Sequence, residues 1–309
     1  MKFWILTDFK KEQVGNLFDK KMFDIAANLQ KLPEGCEVVN IYDLVIEIDS
    51  QNKGKIWHSG QYVERPDMAF ALYMGMVAGN ESKYHLQVLD QLESLGTFLM
   101  TNSTQLMKTW DKLKCGQLLA KAGVNTPKTV LLNSRTPITM VVESLGLPMV
   151  VKPVDGSEGR GVCLVNTVEE LQKMVDEKDE DTTLIAQKYI STSKGRDLRV
   201  ILIGDEVVCA YVRDNTKSGD FRSNVCVGGV SHIVVPPEKA VTLARKARRA
   251  LDLNMCGLDL LFEGDGFTIG EVNFLPGIED WMMYEGELVK VRYHRMLMAY
   301  MKGKVQGKQ

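Results

Sequence analysis

The sequence predicts an α/β protein, with an open N-terminal α/β unit followed by two mixed α+β segments. Three observations carry this. Over roughly the first hundred residues, short apolar runs alternate with amphipathic stretches of helical spacing, as in a sheet with crossover helices. In the middle, a glycine-rich segment joins two strand-like runs. In the last third, apolar runs are folded back around Gly-Asp turns, the signature of antiparallel hairpins. A length of 309 residues suits about two domains or one large one. Domains are expected over 1–103, 104–188 and 189–309.

In chain order, Lys2 to Thr7 and Glu37 to Tyr42 read as strands, with a helix expected over Phe18 to Leu32, before Pro33. Met68 to Met74 is a further apolar run. Tyr84 to Leu95 is an amphipathic helix closed by Gly96, and Thr97 to Met100 a short strand. One helix is expected from Ser103 to Gly123, with Asn102 or Ser103 as its cap. Strands at Thr129–Leu132 and Met149–Lys152 flank a helix over Ile138–Leu145. Then come a strand at Val162–Val165, a helix at Val168–Val175 and a strand at Thr183–Tyr189. Leu198–Ile203 and Glu206–Arg213 pair around Gly204-Asp205. Pro237–Leu251 is a basic helix, and the tail after Tyr284 is helical.

Hydrophobic residues make up 45% and charged residues 25%, as in ordinary globular chains. A net charge of −2 gives no basis for a sequence-independent grip on nucleic acid. No apolar run approaches the roughly 20 residues needed to span a bilayer, and the first residues read as a strand rather than a leader. A cytoplasmic location is expected. The six cysteines are scattered without a C-x-x-C pair, which predicts small buried side chains rather than disulfides or zinc.

The chemistry begins at Gly257–Phe262, Glu263-Gly264-Asp265-Gly266 and Phe267–Asn273. Folded at Asp265, this hairpin sets Asp259 opposite Glu271, with Asn273 on the same face. Two carboxylates on an otherwise apolar sheet repel each other unless a cation lies between them. Hard oxygen donors suit Mg²⁺, which takes its other ligands from phosphates and water. A nucleoside triphosphate is therefore expected. Lys152, at the end of an apolar run, needs an anion, and the loop after it carries Gly156, Gly159 and Gly161, whose N–H groups can approach phosphate. A plain β-hairpin with a flexible tip accounts for the same glycines. Neither a Walker loop nor a dinucleotide fingerprint is present. Asp197 and Arg199 share a strand face, as a surface ion pair or as ribose and phosphate ligands. Arg222 is either a loop residue or a clamp on the γ-phosphate.

Taken in this order, these stretches resemble the ATP-grasp superfamily, and most closely its RimK-type branch, the α-L-glutamate ligases. The specific segments are Gly195–Arg199, Gly204–Val208, Gly219–Asn224 with Gly228-Gly229, and Gly257–Gly277; Asp111 to Val124 is similar to the family's connecting helix. The resemblance implies an ATP-grasp fold, with a pre-ATP-grasp domain and two α+β subdomains clasping ATP. It implies that Lys152, with Lys112 as helper, binds the phosphates under a mobile loop of Gly156, Ser157, Gly159, Arg160 and Gly161. It places adenine against the main chain of Lys188, Tyr189 and Ile190 beside Gln187, and ribose on Asp197. Arg199 and Arg222 steady the γ-phosphate and the acyl phosphate, assisted by Ser223 and Asn224. Asp259, Glu271 and Asn273 bind two Mg²⁺, for which Mn²⁺ can substitute.

The implied reaction moves the γ-phosphoryl group of ATP to a carboxylate, and an amine then attacks the acyl phosphate to form an amide. Glutamate or another amino acid joined to a peptide, protein or small-molecule acceptor is the leading expectation. A macrocyclising ligase for ribosomal peptides and a non-catalytic nucleotide-binding module are the alternatives. A homo-oligomer without nucleic-acid or membrane partners is expected. The sequence departs from the branch at Lys188, where Glu is usual, at Tyr73, where an arginine is frequent, and at Ile278–Trp281.

Overall fold

The computed structural model describes residues 1–8, 27, 36–51, 54–72, 80–155, 161–178, 182–223, 229–278 and 282–307. The helix expected over Phe18 to Leu32 lies outside these apart from Ala27, which is helical. Gly156 to Arg160, Asn224 to Gly228, Tyr73 and the Glu279–Trp281 departure also lie outside them. The chain divides into two units, Met1–Leu106 with Tyr293–Gln309, and Met107–Arg292.

In the first unit, β1 (Phe3–Thr7), β2 (Glu37–Asn40), β6 (Met68–Ala71) and β7 (Phe98–Leu99) form a parallel sheet of order β2-β1-β6-β7. Every residue of β1 and β6 is buried, as in a parallel sheet covered on both faces. Helix α1 (Asn80–Ser94) is the crossover from β6 to β7. Between β2 and β6, β3 (Leu44–Glu47), β4 (Lys55–His58) and β5 (Gln61–Val63) form an antiparallel meander that the sequence reading passed over. Ser59 and Gly60 both have positive φ in the β4–β5 turn, the mirror-image turn that matches strand twist.

The single helix expected from Ser103 to Gly123 is two helices, α2 (Ser103–Trp110) and α3 (Lys112–Lys121). Asp111 breaks it: in extended conformation, its carboxylate accepts the Lys114 N–H at 2.8 Å and caps α3. The second unit then builds β8 (Thr129–Leu132), α4 (Ile138–Leu145), β9 (Met149–Pro153), β10 (Cys163–Val165), α5 (Val168–Asp176) and β11 (Leu184–Lys188). These strands form an antiparallel sheet of order β10-β9-β11-β8, whose Met149, Val151, Leu184 and Ala186 pack on α4 and α5. Alternation sends Val150, Lys152 and Gln187 to the other face.

A second antiparallel sheet follows, of order β14-β13-β12-β15-β16. Its strands are β12 (Arg196–Ile203), β13 (Glu206–Asp214), β14 (Val230–Ile233), β15 (Met255–Glu263) and β16 (Gly266–Asn273), with α6 (Glu238–Leu251) between β14 and β15. Leu198, Val200, Leu202, Leu258 and Leu260 pack against Ala240, Ala244 and Ala247 of α6. The intervening Asp197, Arg199 and Asp259 must then lie on the opposite face. The β15–β16 hairpin turns at Gly264-Asp265, and a one-residue bulge at Gly270 shifts the register, so that Asp259 pairs with Glu271 and Gly257 with Asn273. The short hairpin of β17 (Met283–Tyr284) and β18 (Glu287–Leu288) leads into α7 (Val289–Val305). No helix among the described residues is long and apolar enough to cross a membrane.

Of the described cysteines, Cys115, Cys209 and Cys256 are buried, and all five are free thiols. Cys163 corrects the expectation of burial: it is exposed at the start of the edge strand β10. Opposite Asn273, a Cβ on Gly257 would meet the Pro276 Cβ at 2.6 Å. Gly257→Ala is therefore expected to lower unfolding stability by about 1–3 kcal/mol. A urea midpoint equal to that of the wild type would contradict this close approach.

Candidate active site

In the second unit, the sheet faces that carry Lys152 and Asp259 border a cleft, into which Lys112 of α3 also projects. Its apolar lining includes Val150, Ile190 and Leu261, and its charged lining Lys112, Lys152, Arg213, Asp259 and Glu271. Pairing across four strands aligns Tyr211, Arg199, Asp259 and Glu271 in one row. The next row places Arg213 opposite Asp197.

Each arginine in these rows faces an aspartate on the neighbouring strand. Arg199 grips Asp259 with two prongs, Nε to Oδ1 at 2.6 Å and Nη2 to Oδ2 at 2.8 Å. Arg213 donates Nε to Asp197 Oδ1 at 2.8 Å and Nη2 to Asp197 Oδ2, and its Nη2 also reaches Asp259 Oδ2 at 2.8 Å. Asp197, Arg213 and Asp259 are all buried. Burial alone would raise the Asp259 carboxyl, but the Arg199 and Arg213 guanidiniums outweigh it and hold the acid well below the usual carboxylate range. For Asp197, burial wins over Arg213 and Arg199, with Asp259 adding to the rise, and its pKa is raised. Asp197 and Arg199 share a face as expected, yet they form no surface pair, since each is committed to a partner on the neighbouring strand.

Glu271, half-exposed, has Lys112 Nζ 3.9 Å from Oε1. Lys112 is held at the α3 N-terminus by its own N–H, which donates to Val154 O at 3.1 Å. Burial pushes the Lys152 ammonium down, and Glu271 pulls it back in part. The amide nitrogen of Asn273 is buried without a hydrogen-bond partner. A half-turn of that amide would present its oxygen instead, but Asn273, which pairs with Gly257, is not among the residues lining the cleft, and this leaves Asp259 and Glu271 as the oxygen donors of the hairpin there. The donor set thus fits a hard divalent cation. Among the described residues, no group of three or more His, Cys, Asp or Glu side chains gathers to hold a metal, so remaining ligands would have to come from phosphate and water.

Arg222 and Ser223 line the cleft; Arg222 is forked onto Asp220, with Nη2 to Oδ2 at 2.8 Å. Arg199 is not among the lining residues, and Arg213 lines the cleft instead. Gln187, Lys188, Tyr189 and Ile190 form one wall. Of their main-chain groups, the Lys188 N–H donates to Lys128 O at 2.9 Å, and Ile190 O accepts the Ser193 N–H at 3.0 Å. Gly161 ends the glycine loop at a φ of 70°. Asn224 and the loop from Gly156 to Arg160 lie outside the described residues. Sequence reasoning missed Arg213 and Asp220. The signal for Arg213 was an arginine two residues beyond Tyr211 in an otherwise apolar strand; Asp220 stands two residues before Arg222.

Residues 109–294 match the model of the RimK-like ATP-grasp domain. The chain belongs to the RimK-like ATP-grasp family. The ribosomal protein bS6–L-glutamate ligase of Escherichia fergusonii is 36% identical over 198 residues, 63% of this chain and 66% of that protein, just under two thirds of the relative. In three dimensions, D-alanine–D-alanine ligase from Bacillus anthracis matches with a TM-score of 0.69 at 19% identity, over 100% of this chain and 98% of that one. The ATP-grasp ligase PsnB, in complex with minimal precursor, Mg and ADP, matches at 0.67 and 16% identity, over 97% and 98%. At such identities the two likenesses speak for the fold, and that fold is ATP-grasp. The cleft described above lies within the RimK-like region.

Two measurements test this geometry. Arg213→Met leaves two buried carboxylates short of a partner, and is expected to cost about 3–5 kcal/mol in urea unfolding; a loss under about 1 kcal/mol would contradict the network. Cys115, near Glu271 and Lys152, has its thiol pushed up to about 12 by burial first and Glu271 second. Iodoacetamide at about pH 8 should therefore label Cys163 in the native protein and spare Cys115, by peptide mass spectrometry. Labelling of both at equal rates would contradict the burial.

Proposed function

We propose that the chain is an ATP-dependent carboxylate–amine ligase that adds glutamate or another amino acid to a peptide, protein or small-molecule acceptor. The observation that carries this is the Asp259–Glu271 cross-strand pair lining a cleft that also holds Lys112 and Lys152. The family supports the chemistry, and the glutamate ligase relative suggests the amino acid.

The residues divide the work as follows. Val150, Ile190 and Leu261 offer an apolar bed for a base, next to the main chain of Lys188 to Ile190. Asp197, which lines the cleft, faces the ribose with the lone pairs that its fork to Arg213 leaves open. Lys152 and Lys112 counter phosphate charge, and the loop from Gly156 to Gly161 covers it. Asp259 and Glu271 hold Mg²⁺, with Mn²⁺ as a substitute. Bound there, the ion neutralises charge on the phosphate oxygens during transfer. A substrate carboxylate oxygen attacks the γ-phosphorus and ADP departs. The amine nitrogen then attacks the carbonyl carbon, and phosphate leaves as the amide forms. Arg222 and Arg213 line the space where that negative charge develops, and a preorganised guanidinium lowers the barrier there. No side chain has to become a covalent nucleophile, so the protein's part is positioning, charge compensation and exclusion of water.

A phosphate-release screen of the amino acids against candidate acceptors, with mass spectrometry of products, tests the reading. ADP is expected to form only when both a carboxylate and an amine are present, and Glu271→Gln is expected to lower kcat about a hundredfold or more. Undiminished turnover of Glu271→Gln would remove this residue from the site.

A further inference from the structure

Taken with the ligase reading, on which it rests, the ion pairing around Asp259 has a consequence for the order in which ligands enter. Both oxygens of Asp259 are taken by guanidiniums: Arg199 holds the pair at 2.6 and 2.8 Å, and Arg213 adds a third contact at 2.8 Å. Opposite it, Glu271 faces Lys112. The bases Lys112, Lys152, Arg199 and Arg213 therefore meet the acids Asp197, Asp259 and Glu271, so the formal charge is 4 − 3 = +1. A bare divalent cation has no attraction to such a surface. To reach Asp259 it must also strip off a guanidinium and leave it buried without an anion, which is the costly way to break a buried pair. A polyphosphate removes both obstacles, because it brings negative charge for the ion and an anionic partner for the released arginine.

We propose that Arg199 is an internal counter-ion that keeps Asp259 closed to divalent cations until a polyphosphate enters with the metal. Arg213 is anchored by its own fork on Asp197 and stays in place, whereas both prongs of Arg199 end on Asp259. Arg199 is thus a positioning residue whose release couples the metal site to the nucleotide site. The free protein then resists loading with metal alone.

The test is Mn²⁺ titration read by electron paramagnetic resonance of the free ion, with and without a non-hydrolysable ATP analogue. In the absence of nucleotide, Arg199→Gln is expected to bind Mn²⁺ about tenfold or more tightly than wild type. Arg196→Gln, which removes a cleft charge away from Asp259, is expected to stay within about twofold. Wild type is expected to gain Mn²⁺ affinity when the analogue is added, and Arg199→Gln to gain less. Should Arg199→Gln fail to fold, as judged by circular dichroism, Arg199→Lys decides. It keeps the charge but loses the fork, and an intermediate rise is expected. Unchanged nucleotide-free affinity in a folded Arg199 variant, or an equal rise in Arg196→Gln, overturns the proposal. Failure of wild type to bind the analogue at all overturns the ligase reading itself. Analogue binding with no Arg199 effect overturns this inference alone.

Discussion

A buried carboxylate held by two guanidiniums, Asp259 between Arg199 and Arg213, is the constraint on which the rest of this site depends. Three strands must lie in one register for these side chains to meet, and the β12–β15 pairing puts Arg199 directly across from Asp259. Charges buried on a sheet are tolerable only when each has its partner, so the pairs Arg199–Asp259 and Arg213–Asp197 penalise any slip of the sheet. The same pairing keeps Asp259 ionised, which a metal ligand requires.

The architecture follows from alternation along the strands. Leu198, Val200, Leu202, Leu258 and Leu260 must cover α6, and this obliges the residues between them to take the opposite face, where Asp259 reaches the cleft. In the smaller sheet, packing of Met149 and Val151 on the α4–α5 side turns Val150 and Lys152 to the other face. Each sheet thus has one face buried under helices, and part of its other face lines the cleft. A nucleotide with an apolar base and a charged tail matches a cleft that is apolar at Val150, Ile190 and Leu261 and charged at Lys152 and Asp259.

Much of this was legible in the sequence because the decisive contacts in the last third are local. Asp259 and Glu271 could be paired from the turn alone. Even so, the pairing rests on a compensation that the sequence hides: the turn is centred at Gly264-Asp265, and the bulge at Gly270 restores the register. Arg213 was not legible. Its partners are Asp197 on one strand and Asp259 on another, and sequence order does not reveal which strands are neighbours in a sheet. The break at Asp111 was hidden because helical periodicity runs through it, and only the cap geometry ends one helix and starts the next. The β3–β5 meander was hidden because its strands are short and half-exposed, so no apolar run marks them. The family resemblance supplied what residue patterns could not, namely the order of ATP-binding parts along the chain, and the match over residues 109–294 bears out the family.

The central claim is that the acids of the β15–β16 hairpin hold a divalent ion together with a nucleotide. Anomalous diffraction from crystals grown with Mn²⁺ and ADP tests it most directly. The account predicts a strong manganese peak within bonding distance of both Asp259 and Glu271, with nucleotide density running from Lys152 toward Ile190. Nucleotide density there with manganese absent from these carboxylates, or bound elsewhere, would contradict it.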